Sequence, residues 1–503
     1  MLQTIPISVG WSTLCVFLLV LLLYYTYVYL SRRSGLPPGP IGWPVIGNLF
    51  QLMRDKAGVH VALVKLAENY GDVFSLYFGS KLVIILNGYD AIREAFVNRA
   101  DVLNNRPSLL VLEMLSNGKG IVGANGHDWK AQRTFFLKTL RRIDVGQSRK
   151  LEHHILEECE FLINEIESLE GALFEPTDVI SHAVANIICF FTFGRRFEYS
   201  DGKFKELLSM LRRLMGIVGS AAAIHFFPMM KIFMRTKFRQ LAKVKEEVFT
   251  LEREIIEEHK RTIDVDNPRD FVDAYLIESD KRRQKNENCS FTDEGYVLVT
   301  LADLFTAGTE TTSTTLRWGL LYLCLNKHVQ QTAQNEIDHV VGRHRQPDLG
   351  DQSNLPYTQA LVYEIQRISS VFPLSVPHCA ATETHLHGYR IPKGAEILPN
   401  LWSVLHDPVI WPEPEKLRPQ RFLDEGMENV IRPERFIPFG IGPRVCLGEQ
   451  IAKMELFLFL SNLLHRFRFE LDEDIATDPN ILKPVEGLTL TPRTYKLRAN
   501  KRC

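Results

Sequence analysis

This sequence predicts a mainly α-helical fold with a minor β region, preceded by one N-terminal transmembrane helix. Three observations carry that expectation. Apolar residues recur at helical spacing over long stretches between residues 125 and 345. Short alternating segments are confined to 70–90, 385–400 and 488–498. The chain also opens on a long apolar run without charge.

Met1 to Ser31 contains no charged side chain, and Trp11 to Leu30 reads WSTLCVFLLVLLLYYTYVYL. At 1.5 Å per residue such a run spans about 30 Å, the hydrocarbon thickness of a bilayer. The competing reading, a cleaved signal peptide, calls for a basic leader and a small-x-small cleavage site, and neither is present. Arg32 and Arg33 follow at once, so the positive-inside rule puts the bulk of the chain on the cytosolic side. LPPGP, Leu36 to Pro40, reads as a stiff spacer because proline fixes φ. The expected division is therefore an anchor over 1–31, a Pro-rich spacer over 32–45 and one large domain over 46–503. No Gly/Ser linker, internal repeat or low-complexity tract interrupts that domain. Facing the cytosol, the formal glycosylation acceptor Asn288-Cys289-Ser290 is expected to stay unmodified.

Within the domain, YGDVFSLYFGSKLVIILNGYD (70–90) alternates around Gly79-Ser80 and predicts a hairpin. Helical patterns follow at 150–170, 240–260 and 293–325. The charged stretch ESDKRRQKNEN (278–288) reads as a solvated loop between two helices. MGIVGSAAAIHFFPMM (215–230) is unusually apolar for a connection. It reads either as a buried helix end and turn or as a loop dipping into the membrane.

Of the 503 residues 45% are hydrophobic and 24% charged, with a formal net charge of −1, a globular composition that argues against nucleic acid as a partner. The eight cysteines include no CxxC pair, and Cys15, Cys189 and Cys324 sit in apolar surroundings, a pattern of free thiols in a reducing compartment. No second Cys or His lies at zinc-ligand spacing from Cys446.

Cys446 is nevertheless unusual, because FGIGPRVCLG (Phe439 to Gly448) surrounds it with three glycines, a proline and an arginine. The helical pattern that follows puts the sulfur near a helix N-terminus, where free N–H groups and the dipole favour an anionic thiolate. Gly440, Gly442 and Gly448 omit side chains that would block a flat macrocycle, and Arg444 is placed to pair with one of its carboxylates. The bland alternative is a Gly-rich turn with a buried cysteine.

FGIGPRVCLG resembles the cysteine-ligand signature of the cytochrome P-450 family, Phe-x-x-Gly-x-Arg-x-Cys-x-Gly, at every defined position. The resemblance extends from LPPGP to LTLTPR and implies the cytochrome P-450 fold, with haem b as cofactor, Cys446 as proximal iron ligand and Phe439, Arg444 and Gly448 around it. It further implies that Glu364 and Arg367 of EIQR form the family's structural Glu-x-x-Arg pair. That pair is completed by an arginine from a Pro-x-Arg-Phe segment. PQRF (419–422) and PERF (433–436) both qualify. The preceding WPEPEKLR context selects Arg421, although Leu417 and Gln420 depart from the usual Phe and Glu. AGTETT, Ala307 to Thr312, corresponds to the distal oxygen groove, with Ala307 against the haem and Glu310 and Thr311 as the acid–alcohol pair that delivers protons. Trp129 and Arg133 of HDWKAQR, with Arg106, His378 and Arg444, would meet the haem propionates. Lys130, Lys138, Arg141 and Arg142 suit docking of an acidic reductase, or form an ordinary solvated face.

These features imply oxygen insertion from O2 into a lipophilic substrate. The electrons come from NADPH through a separate membrane-bound reductase, with cytochrome b5 as a further candidate donor, since the chain carries no G-x-G-x-x-G motif. FIPFGIGPRVCLGEQIAKMELFLF and IPKGAEILPNLWSVLHDPVIW are similar to microsomal family-two members that oxidise fatty acids, steroids and foreign compounds, and among those to the fatty-acid hydroxylases of subfamily U. The expected location is the endoplasmic reticulum membrane, with substrate contacts from 108–123, 215–230, Leu304 to Gly308, Val371 to Val376 and Leu488. Two rival functions differ in what they need. A haem-thiolate isomerase or synthase works without a reductase, and a haem-binding sensor or carrier shows no turnover.

Overall fold

The computed structural model describes residues 13–20, 23–24, 34–43, 46–53, 55, 57–79, 81–144, 150–221 and 235–502. The expected hairpin forms as β1 (Val73–Phe78) and β2 (Lys81–Leu86), antiparallel with Val73 opposite Leu86. The segment 378–399 supplies β3 (His378–Cys379), β4 (Thr384–Leu386), β5 (Tyr389–Ile391) and β6 (Glu396–Pro399). β6 lies parallel to β2 and antiparallel to β3, which completes a sheet of order β1-β2-β6-β3. That parallel pairing joins strands from opposite ends of the chain and brings His378 towards the N-terminal half.

Eight helices build the site. They are α1 (Gly126–Asp144), α2 (Lys150–Glu167), α3 (Pro176–Phe193), α4 (Arg235–Thr262), α5 (Phe271–Gln284), α6 (Glu294–Leu325), α7 (Pro356–Ser369) and α8 (Glu449–Arg466). α6 runs for 32 residues. Asp293 caps it by accepting from the Gly295 N–H, and from Thr312 to Cys324 nearly every side chain is buried. α3 packs along it. Of the described helices α3 alone is long and apolar enough to cross a bilayer, but 72% of it is buried inside the protein, so it is a core helix.

The charged stretch 278–288 differs from the loop expected. α5 runs on to Gln284, because Arg282 reaches back one turn to Glu278 at 2.7 Å and forward to Glu287 at 2.8 Å. Of the expected anchor, residues 13–20 and 23–24 are described. They are helical with exposed apolar side chains, and the remainder lies outside the described residues. The apolar segment 215–230 is described only to Ala221, where it ends the helix Gly202–Ala221.

α4 and α5 are clamped together by a buried histidine. His259 Nδ1 lies 2.8 Å from the Ile255 carbonyl and Nε2 lies 2.9 Å from Asp270 Oδ2, so both ring nitrogens face acceptors, as in an imidazolium. Burial opposes the charge, but the hydrogen bond and carboxylate of Asp270 outweigh it and hold the imidazole above its usual pKa. A raised histidine pKa contributes stability below the unfolded value of 6.5, and that contribution disappears as pH rises through the folded value. His259→Gln is therefore expected to lower the melting temperature most at acidic pH, with the deficit shrinking towards alkaline pH. Thermal unfolding of both proteins across pH measures it, and a deficit that grows with pH contradicts the imidazolium.

Candidate active site

The cysteine loop closes on itself before α8 begins. Cys446 N–H donates to the Phe439 carbonyl at 3.0 Å and Val445 N–H to the Gly442 carbonyl at 3.0 Å. Gly440 and Gly442 adopt φ of 77° and 82°, the left-handed region that glycine tolerates best. The three glycines do not share one purpose, contrary to expectation. A Cβ on Gly442 would lie 2.0 Å from the Phe96 carbonyl oxygen, so this glycine admits neighbouring backbone. A Cβ on Gly440 or Gly448 would meet nothing within 4 Å. Phe439 is half-buried, with Lys453 Nζ 5.8 Å from its ring centroid.

The Cys446 side chain is solvent-accessible although protein atoms surround it deeply, the situation of a group on the wall of an internal cavity. Burial pushes its thiol pKa up. The N–H groups of Gly448 and Glu449 and the charge of Arg133 pull it down, and they do not win. The helix N-terminus expected to stabilise a thiolate thus helps without sufficing. A bound metal ion deprotonates such a sulfur outright.

Three arginines converge beside the loop. Arg133 on α1 donates to the Val445 carbonyl at 2.8 Å. Arg106 donates to the carbonyls of Val376 and Pro377 at 2.7 and 3.1 Å, and its Nε has no partner. Arg444 donates to Asn104, Ala124 and Asn125, with its guanidinium 3.9 Å from the centroid of the Trp129 ring. Among the described residues none of the three forms an ion pair with a carboxylate. Burial and mutual repulsion depress the pKa values of Arg106 and Arg444 to about 9, and burial lowers that of Arg133. Guanidinium keeps its proton in proteins, so these shifts express cations that lack an anion. His378 lies among them, its ring tilted by 35° against Phe96 with centroids 4.1 Å apart. Burial and the charges of Arg106 and Arg444 hold it neutral, and its Nδ1 is unpartnered.

Glu364 and Arg367 are brought together on α7. Arg367 grips Glu364 through Nε at 2.7 Å and Nη2 at 2.9 Å, with both side chains fully buried. Arg367 also donates to the carbonyls of Leu405 and Pro414 and stacks near Trp411. Arg421 adds a third bond to Glu364 at 3.2 Å, and the Arg418 N–H a fourth at 2.9 Å. Arg435 of the alternative segment is exposed. The surface ion pair that would have been worth little is here a buried network.

On α6, Ala307 is exposed at the middle of a helix whose flanking Phe305 and Thr309 are buried, so this face lines an interior space. Thr311 shares the face, one turn on, and its hydroxyl donates to the Ala307 carbonyl at 2.7 Å. Glu310 is not bonded to Thr311. Its carboxylate accepts from Thr489 at 3.1 Å. Two further residues escaped sequence reasoning. Asp303, one turn before Ala307, accepts from the N–H groups of Ile121 and Val122 at 2.9 and 3.0 Å and ties that loop to α6, with burial raising its pKa to about 6. Asn125 bridges Arg106 and Arg444, bonding the backbone of the first and the guanidinium of the second. Neither belongs to a local motif. Only the tertiary contacts reveal them.

The residues fit a haem. An accessible sulfur, open space at Gly440 and Gly448, the bare face at Ala307 and three uncompensated cations suit an iron porphyrin with two carboxylates. A mainly helical fold built around one accessible cysteine of this kind defines a haem-thiolate monooxygenase. The chain belongs to the cytochrome P450 family, whose sequence profile matches residues 37–499. It is 40% identical to cytochrome P450 2U1 of Rattus norvegicus over 96% of this chain and 94% of that protein. It is 39% identical to cytochrome P450 2U1 of Homo sapiens over 96% and 92%. Cytochrome P450 2B4 of Oryctolagus cuniculus is 40% identical over 95% of each. The chain is thus of the microsomal family-two type, with a subfamily U resemblance.

Glu364→Gln would leave two guanidinium groups buried without their anion and is expected to cost about 3–5 kcal/mol of stability. Denaturant unfolding of the haem-loaded protein measures this. A loss below about 1 kcal/mol, the size of a surface pair, contradicts the network's structural weight.

Proposed function

We propose that this protein is a membrane-anchored monooxygenase that inserts one oxygen atom of O2 into a lipophilic substrate, using NADPH electrons relayed by a separate reductase. The observation that carries the reading is the accessible Cys446 beside three buried guanidinium groups that lack an anion. When bound, haem supplies the oxygen chemistry, and thiolate ligation favours O–O cleavage.

Every other part of the work falls to the chain. Cys446 holds the iron, with Gly448 and Glu449 N–H groups supporting its charge. Arg106, Arg133, Arg444 and His378 bind the carboxylates and fix the ring's orientation, while Trp129 holds Arg444 in place. Phe439, Gly448 and Ala307 shape the space on either side. Thr311 offers a hydroxyl on the accessible face of α6, so it is the residue placed to hold and pass a proton there, with Glu310 as the neighbouring acid. Glu364, Arg367 and Arg421 keep the cysteine-bearing segment in position.

A fatty acid, steroid or foreign compound is the substrate class. The similarity to proteins named cytochrome P450 2U1 favours the first. Leu304 to Gly308, the segment 108–123 with its helix Leu110–Ser116, Val371 to Val376 and the exposed Leu488 are the candidate contacts. Lys130, Lys138, Arg141 and Arg142 are all exposed on α1, a basic face suited to an acidic reductase and to cytochrome b5. The anchor over 1–31 and spacer over 32–45 would hold the domain 46–503 at the cytosolic face of the endoplasmic reticulum membrane. The described anchor residues, helical with exposed apolar side chains, support this.

Two substitutions test the central roles. Reduced protein with carbon monoxide should show the red-shifted Soret band of a thiolate–iron complex, and Cys446→Ala should abolish it. An intact band in that variant overturns the ligand assignment. Thr311→Ala should raise peroxide release relative to product by about tenfold or more, since a positioned proton-transfer group contributes on the order of 10²–10⁴-fold. Unchanged coupling, read as product formed per NADPH consumed, removes Thr311 from the proton path.

A further inference from the structure

The two candidate proton carriers are held by different parts of the molecule. Thr311 is fixed by its own helix, since its hydroxyl donates to the Ala307 carbonyl at 2.7 Å. Glu310 has no such local partner. Among the described residues its carboxylate forms no ion pair, and its one side-chain donor is Thr489, whose hydroxyl lies 3.1 Å from Oε1. Glu310 stands three residues after the exposed Ala307, so it adjoins that face of α6. A glutamate side chain with free torsions samples many positions unless a partner holds it.

Thr489 is itself firmly seated. It is buried in a hairpin formed by Val485–Glu486 and Leu490–Thr491, with Val485 opposite Thr491 and Glu486 opposite Leu490. The Leu490 N–H donates to the Val371 carbonyl at 2.9 Å, and the Leu490 carbonyl accepts from Trp318 Nε1 at 2.8 Å. Just beyond the hairpin, the Tyr495 hydroxyl donates to the Arg317 carbonyl at 2.6 Å. Arg317 and Trp318 belong to α6, about two turns past Glu310, so the C-terminal segment is fastened to the helix that carries the acid. None of these bonds uses the Thr489 side chain, and the hairpin therefore keeps its place when that hydroxyl is removed. Leu488, the exposed neighbour of Thr489, is a candidate substrate contact. One short segment thus carries both a substrate contact and the partner of the acid.

We propose that Thr489 is a positioning residue for Glu310. Its hydroxyl fixes the carboxylate beside the accessible face of α6, so the hairpin that meets the substrate also places the acid of the proton path. The inference rests on the roles proposed for Glu310 and Thr311. A hydroxyl orients a carboxylate without the strong pull on its proton affinity that a cation exerts, which suits a group that must take up and pass on a proton.

The test compares the haem-loaded wild type with Thr489→Val, which keeps the shape and removes the donor, and Thr489→Ser, which keeps the donor. The Val variant, its carbon monoxide band intact, should raise the ratio of peroxide to product about three- to tenfold, the effect of one hydrogen bond, with KM for the substrate unchanged. The Ser variant should match the wild type. Beside Glu310→Ala, Thr489→Val should change the ratio no further, because a residue that acts through Glu310 then has nothing left to position. Denaturant unfolding of the same four proteins reads the contact without turnover. Thr489→Val should lower the folding equilibrium constant about three- to tenfold when Glu310 is present and clearly less beside Glu310→Ala. An unchanged ratio in the Val variant, a Ser variant that behaves like Val, or an equal further loss beside Glu310→Ala each overturns the proposal. A rise in KM at unchanged ratio also overturns it and makes Thr489 a plain substrate contact. Absence of the thiolate band or of product in the wild type instead sinks the monooxygenase reading, and the unfolding cycle still decides whether Thr489 holds Glu310. If Thr489→Val does not fold, Thr489→Ala replaces it in the same comparisons.

Discussion

Buried positive charge without a counter-ion is the constraint around which this structure is arranged. Arg106, Arg133 and Arg444 come from different segments of the chain, and each donates to backbone carbonyls or an amide, with Arg106 Nε left unpartnered. Carbonyl dipoles solvate a guanidinium but do not neutralise it, and three such groups beside one another repel. The arrangement is stable in full only with an anion among them. That requirement, beside an accessible sulfur whose pKa is raised until a metal binds it, explains why the haem and this fold belong together.

Holding those groups in register falls to a second buried charge cluster of the opposite design. Glu364 accepts from Arg367, Arg421 and the Arg418 N–H, so one carboxylate joins α7 to the irregular segment that leads into the cysteine loop. Here the cations have their anion and the polar atoms are satisfied. The first cluster leaves charge open for a ligand, whereas the second closes it for the scaffold.

The distal side is built from a helix that does not fully satisfy its own polar groups. Thr300, Thr309 and Thr314 carry buried hydroxyls without partners, and Thr311, Ser313 and Thr315 bond back to carbonyls one turn earlier. A soft turn of this kind is useful where a hydroxyl must reach a reacting group, provided something outside fixes its average position. Thr489 bonds Glu310 from outside the helix, while Asp303 on the helix itself holds the N–H groups of Ile121 and Val122, and neither tie is local in sequence.

The sequence by itself determined the secondary-structure balance, the hairpin at 73–86, the long helix 294–325 and the family, because these rest on periodicity and on the short motif around Cys446. It also named the arginines that converge beside the loop. It misjudged two local matters. Gly442 makes room for the Phe96 carbonyl, and helix α5 outlasts the charged residues that suggested a loop, because Glu278 and Glu287 hold Arg282. Only the tertiary structure decided that the Glu364–Arg367 pair is buried, that Glu310 turns to Thr489, and that Asn125 and Asp303 hold the loops beside the site. The physical reason is that burial and the company of other charges set what an ionisable side chain does. Residues hundreds of positions apart supply both.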